Sequence, residues 1–193
     1  FAFGAFVRKV MPWRSPTSRH GYAWAAAFGA LALAVAASLM LRDSAIRYRG
    51  ASVSLQAYVQ GGAGVHALRD GEVLSGGAQL AFAYTLSEPQ HLLLFGIDDA
   101  GTITRYFPDE DIAEASALPA GAKRQLPVGI ELDARRGRER LIALFSSEPL
   151  ARDAARAALE SAWHQMRARG KGISEPIELA LPAQQISVWF EKR

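Results

Sequence analysis

Twenty consecutive residues, Tyr22 to Leu41, read YAWAAAFGALALAVAASLML and contain no charged side chain. As an α-helix this run is about 30 Å long, enough to cross the hydrocarbon layer of a bilayer. Arg19 bounds it on one side, Arg42 and Asp43 on the other. Tyr22 and Trp24 stand where interfacial aromatic residues anchor a span. The run predicts a single-pass membrane chain with a basic juxtamembrane segment, residues 1–21, ahead of the span. A linker, residues 42–50, and a β-rich domain, residues 51–193, follow it. Two other readings compete. A cleaved signal peptide would use the small residues Ala34-Val35-Ala36, but the apolar run continues past that point to Leu39, Met40 and Leu41. A buried helix of a soluble domain is the other.

Charge is divided along the same lines. Residues 1–41 carry Arg8, Lys9, Arg14 and Arg19 and no acid, so the sequence pI of about 9.4 comes from this end and the remainder is close to neutral. A nucleic-acid-binding domain would carry a basic face of its own, and none is expected after the span. The positive-inside rule puts the N-terminal segment in the cytoplasm and the larger domain outside, at the inner membrane, although Arg42, Arg47 and Arg49 weaken the bias. The chain has no cysteine, so an exported domain would rest on its hydrophobic core alone. In the N-terminal segment Phe3, Phe6, Val7, Val10 and Met11 recur at helical spacing until Pro12. An amphipathic surface helix, the end of a cytoplasmic domain and a disordered basic tail all fit that pattern. The first residue is Phe1 rather than Met, which points to a sequence truncated upstream.

Beyond the span the pattern is that of short strands separated by turns. Ser52–Gln60 alternates apolar and polar residues. Val65–Leu74 centres on Asp70-Gly71, a hairpin signal. Leu80, Phe82, Tyr84 and Leu86 make one large apolar face. His91–Ile97 is nearly all apolar, as in a central strand, and Asp98-Asp99-Ala100-Gly101 turns it into Thr102–Phe107, closed by Pro108. Residues 109–121 are acidic and irregular, with a helical turn expected at Ile112–Ala117. Lys123–Leu126 and Gly129–Asp133 read as two short strands around Pro127, and Leu141–Phe145 as another. One helix follows, with Ser147 as its cap, Pro149 in its first turn and Gly170 as its stop. Its apolar stripe is Ala155, Leu159, Ala162, Trp163 and Met166, suited to packing on a sheet. Gln185–Glu191 is the last strand, with Ile186, Val188 and Phe190 on one face, and a complete final strand fits a natural C-terminus. The fold class is mainly β with one amphipathic helix: an antiparallel sandwich or partly open barrel.

The residues from Leu92 to Leu150 carry a resemblance. A strand, an acidic turn with glycine and a strand ending in Phe107-Pro108 are followed by Gln125-Leu126-Pro127. Then come Gly137-Arg138-Glu139-Arg140 opening a strand, and Pro149-Leu150 opening a helix. This order resembles a family of bacterial envelope domains of unknown function. In proteins of this kind the domain often follows a single span and an N-terminal zinc-binding anti-sigma-factor module. The resemblance therefore implies a membrane-anchored, anti-sigma-factor-like regulator. That module needs a His and two Cys, so in this chain it would have to lie upstream of Phe1, and with it any sigma-factor contact.

Chemical motifs are sparse. His20, His66, His91 and His164 lack metal-ligand spacing and read as structural or surface residues. Asp98-Asp99-Ala100-Gly101 lacks the alternating oxygen ligands of a calcium loop and reads as turn chemistry. Asp109-Glu110-Asp111 with Glu114 reads as a solvated acidic loop. Ser146-Ser147 lacks the glycines of a nucleophile elbow. Arg135, Arg136, Arg138 and Arg140 form either an anion-binding patch or a solvated loop, with Arg140 pairing Glu139 or Glu131. No catalytic, cofactor-binding or metal residue is assigned, and no enzyme activity is expected. The expected partners are the bilayer, through Tyr22–Leu41, and a protein or ligand in the envelope. The alternative to a sensor is an envelope binding or scaffold module with no signalling role.

Overall fold

The computed structural model describes residues 53–61, 64–109 and 111–193. The segment 1–21, the expected span Tyr22–Leu41 and the linker 42–50 lie outside the described residues. Among those described, no helix is long and apolar enough to cross a membrane.

Among the described residues, ten strands and one long helix follow in chain order. They are β1 (Val53–Gly61), β2 (Gly64–Ala67), β3 (Glu72–Leu74), β4 (Gln79–Leu86), β5 (Gln90–Asp98), β6 (Ile103–Phe107), β7 (Ser116–Leu118), β8 (Gly121–Glu131), β9 (Gly137–Ser146), α1 (Arg152–Ala168) and β10 (Gln184–Lys192). They build two open sheets. The first has the order β2-β1-β4-β8, the second β3-β10-β9-β5-β6, with β7 pairing the start of β5. All pairings are antiparallel except β3 with β10. Both sheets are open and neither closes on itself, in a mainly β fold with one helix.

Alternation explains how the layers face. Val59 of β1, Phe82 of β4 and Leu126 of β8 point into one core with Leu94 of β5, Phe145 of β9 and Phe190 of β10. The other face of the second sheet, with Leu93, Phe95, Ile97, Ile142 and Leu144, packs against Ala155, Leu159, Trp163 and Met166 of α1. The second sheet is thus buried on both faces, and that is why β5 reads as an unbroken apolar run rather than an alternating one. Leu94 is fully buried and Arg136 is exposed.

The local expectations fail in four places. The residues 65–74 do not form a hairpin: β2 pairs with β1 in the first sheet and β3 with β10 in the second. The Asp70-Gly71 turn carries the chain between sheets, and Trp189 N–H donates to Asp70 Oδ1 while Gly71 N–H donates to Trp189 O. Ile112–Ala117 contains no helical turn; it leads into β7, whose partners Gln90, His91 and Leu92 override a weak local preference. The two strands around Pro127 are one strand, β8. Pro127 is accommodated because β8 is an edge strand and its register against β4 shifts between Ala81 and Ala83, which pair with Gly129 and Gln125. Ser147 does not cap α1. The helix starts later, with Ala151 at the cap position and no side-chain cap bond. Its end is as expected: Gly170 takes φ +73°, with Lys171 N–H donating to Met166 O and Gly170 N–H to Arg167 O.

Candidate functional site

The opening of β9, Gly137-Arg138-Glu139-Arg140, sends two charged side chains to opposite faces of the second sheet, and both are buried. Period-two alternation makes this unavoidable once the strand forms.

Glu139 enters the space between the sheets. Tyr106 Oη donates to Glu139 Oε1 at 2.5 Å, and Lys192 Nζ lies 3.1 Å from Oε2. Lys192, only 4% exposed, also donates to Asp133 Oδ1 at 2.7 Å. Four residues from β6, the β8–β9 connection, β9 and β10 thereby form one chain of charge and hydrogen bonds at one end of the core. Gly96 leaves the room for it: a Cβ there would sit 2.5 Å from the Tyr106 ring and 2.6 Å from Glu139 Oε1. In a low-dielectric interior such a network is stable only when every member has its partner. The carboxylate is neutralised by the ammonium and held by the phenol.

Arg140 enters the layer between the sheet and α1. Its guanidinium donates to Ile173 O, Ser174 O and Ser187 Oγ, each at 2.8 Å. Neither Glu139 nor Glu131 is its partner, contrary to the sequence reading, because alternation puts Glu139 on the other face. Burial lowers its pKa from the usual guanidinium value and nearby Asp70 opposes the shift. Arg140 fixes the segment after α1, whose Ile173 and Ile177 complete the outer core.

The remaining candidates do not assemble. Asp98 Oδ1 accepts from Ala100 N–H and Thr102 N–H, the turn chemistry expected of it. Asp99 Oδ2 accepts from Arg138 N–H and Nε–H. With Arg138 paired and Arg140 buried, the expected arginine patch is divided, and only Arg135 and Arg136 of that group stay exposed. Arg105 donates to Asp109 O and Ile112 O, tying down the acidic segment; Glu110 lies outside the described residues. Ser146 Oγ donates to Glu148 O. His66 contacts Glu72, His91 donates to Ser147 O at 3.2 Å and His164 is exposed. His20 lies outside the described residues. No three His, Asp or Glu side chains among the described residues are grouped to hold a metal ion.

The Tyr106–Glu139–Lys192 network escapes sequence reading because its members are far apart in the chain. A signal of it is the pair of adjacent charges, Glu139 and Arg140, ahead of the apolar run Leu141–Phe145. Exposed charges need not open a central strand, whereas buried and partnered ones account for the pattern.

Residues 73–149 match a protein family described as "Domain of unknown function (DUF4384)". The match begins in β3 and ends before α1, so it includes Gly96, Tyr106, Asp133, Glu139 and Arg140 but not Lys192. It fits the resemblance to a domain of unknown function, and no more than that. No curated protein matches the chain.

Proposed function

We propose that this chain is a membrane-anchored regulatory protein of the anti-sigma-factor-like kind, with the β sandwich as an extracytoplasmic, non-enzymatic binding module. The observation that carries the reading is the charge-free run Tyr22–Leu41, with four basic residues and no acid before it, joined by a short linker to the sandwich. The chemistry of the sandwich supports the binding part. Glu139, Lys192, Arg140 and Asp99 are engaged with other residues of the fold, as a rigid scaffold requires. In this reading an event at the sandwich is passed through the span to a cytoplasmic module upstream of Phe1, which contacts the sigma factor.

A reporter that is active only after export, fused behind Arg193, tests the orientation and should be active. Activity of a cytoplasm-only reporter at that position would reverse the topology and remove the envelope partner. The regulatory part has its own test. Coding sequence upstream of Phe1 should contain His-x-x-x-Cys-x-x-Cys, and its product should bind a sigma factor. A start codon directly before Phe1 would instead leave an envelope binding or scaffold module with no signalling role.

A further inference from the structure

Residues 171–183, between α1 and β10, cross the outer layer without forming a strand or a helix. Within them Ile173 and Ile177 alone are fully buried, in the outer core with Ile142, Leu144, Leu159 and Trp163. The other residues of the stretch are half-buried or exposed. Its backbone-to-backbone hydrogen bonds among the described residues stay close in sequence. Lys171 N–H donates to Met166 O at the end of α1, Glu175 N–H to Gly172 O and Ala183 N–H to Leu181 O. The ion pair Lys171–Glu175 is internal as well. Pro176 and Pro182 have no N–H to give to a ladder.

Among the described residues, the polar bonds that tie this stretch to the second sheet come from two side chains. Arg140 of β9 donates to Ile173 O and Ser174 O. Gln185 of β10 donates to Ile177 O and accepts from Leu179 N–H. A strand is held by a ladder of backbone bonds along its length, whereas this stretch is held at separate points. Its first turn also has room to move: Gly170 takes φ +73°, and a Cβ at Gly170 or Gly172 would meet nothing within 4 Å. Segments with few buried apolar contacts and few backbone bonds to the core are the ones that open locally. Arg140 suits such an opening. Closed, its guanidinium exchanges water for three acceptors, two of them on the stretch; open, it regains water and keeps Ser187 Oγ.

We propose that residues 171–183 are a strap that undocks as a unit while both sheets stay folded, with Arg140 and Gln185 as its latches. Undocking bares the part of the outer core that Ile173 and Ile177 cover, and with it a guanidinium that has lost its carbonyl acceptors. The strap thereby switches the outer layer between a closed surface and an open apolar one. Undocking needs neither a sigma factor nor a particular membrane orientation, so its failure and that of the proposed function are distinguishable.

The absence of cysteine makes the test direct. Ile177→Cys, under the strap, and Leu94→Cys, between the sheets, are made separately in the full chain in detergent. Their rates of maleimide labelling are followed as denaturant rises to concentrations below the melt. Ile177→Cys should label on the order of tenfold faster than Leu94→Cys or more, at a rate that low denaturant hardly changes, as local opening requires. Leu94→Cys should label through global unfolding, at a rate that climbs steeply with denaturant. Two latch variants are then added in turn: Gln185→Ala, and Arg140→Lys, which keeps the charge but loses the fork that reaches both carbonyls. Each should raise the Ile177→Cys rate by on the order of tenfold and leave Leu94→Cys unchanged. Equal rates with equal denaturant dependence at the two cysteines would overturn the inference, because the strap would then open only with the whole fold. A latch variant that speeds both cysteines alike, or neither, overturns it too. Should Arg140→Lys fail to fold, Gln185→Ala, at a half-buried position, decides alone.

Discussion

Glu139 costs the fold the most when it is mistreated, because its burial is tolerable only with Lys192 and Tyr106 in place. Glu139→Ala leaves the Lys192 ammonium in the core with Asp133 as its remaining carboxylate, and breaking a buried pair from one side costs about 3–5 kcal/mol. Tyr106→Phe removes one hydrogen bond to a charged group, so its cost should be roughly 1.5–3 kcal/mol. Denaturant melts of the two variants should rank them in that order; the reverse ranking would mean that the phenol, not the ion pair, holds the site. Leu94→Ala should cost on the order of 2–5 kcal/mol, since Leu94 is fully buried in mid-strand, while Arg136→Ala should stay within about 0.5 kcal/mol. Equal melting temperatures for that second pair would contradict the core assignment. At this scale apolar burial was legible: Leu94 and the Ile186, Val188, Phe190 face follow from pattern alone. The polar core was not, because Tyr106, Glu139 and Lys192 meet only through strand order, which no local pattern encodes. The presence of Gly96 in an apolar strand was its faint trace.

At the scale of elements, the same contrast separates α1 from the loops. The stripe Ala155, Leu159, Trp163 and Met166 and the stop at Gly170 were readable because a helix records its environment every third or fourth residue. Its start was misread, since Ser147 and Pro149 are good helix-initiating residues whose positions are taken up instead by the chain's approach to the sheet. There Ala115 N–H donates to Leu150 O and Glu114 bridges Ala151. The Asp70-Gly71 turn was misread for a related reason: a turn residue fixes a reversal, not the strand to which the chain next pairs. Gly170 offers a clean test of the helix end. Its φ is +73° and a Cβ there would meet nothing within 4 Å, so Gly170→Ala should carry only backbone strain, about 1 kcal/mol. A drop of several kcal/mol would instead place hidden contacts at that end of α1.

The whole molecule is a larger unit than the family match. Residues 73–149 include β3 through β9 but omit β1, β2, α1 and β10. Without β1 and β2 the first sheet is reduced to β4 and β8, and without β10, which lies between β9 and β3, β3 loses its only sheet partner among the described residues. Loss of α1 would also uncover Leu93, Phe95, Ile97, Ile142 and Leu144, and loss of β10 would strip Phe190 from the shared core and Lys192 from Glu139. Each buried apolar side chain returned to water gives up about 1.5–3 kcal/mol, and a domain of this size holds only about 5–15 kcal/mol in total. A polypeptide of residues 73–149 is therefore expected to show no cooperative melt and to bind a dye for exposed apolar surface, whereas residues 53–193 melt in one sharp transition. Calorimetry and dye fluorescence on the two polypeptides decide it. A cooperative transition in the shorter one would mean that the matched segment is a folding unit of its own, with β1, β2, α1 and β10 as additions to it.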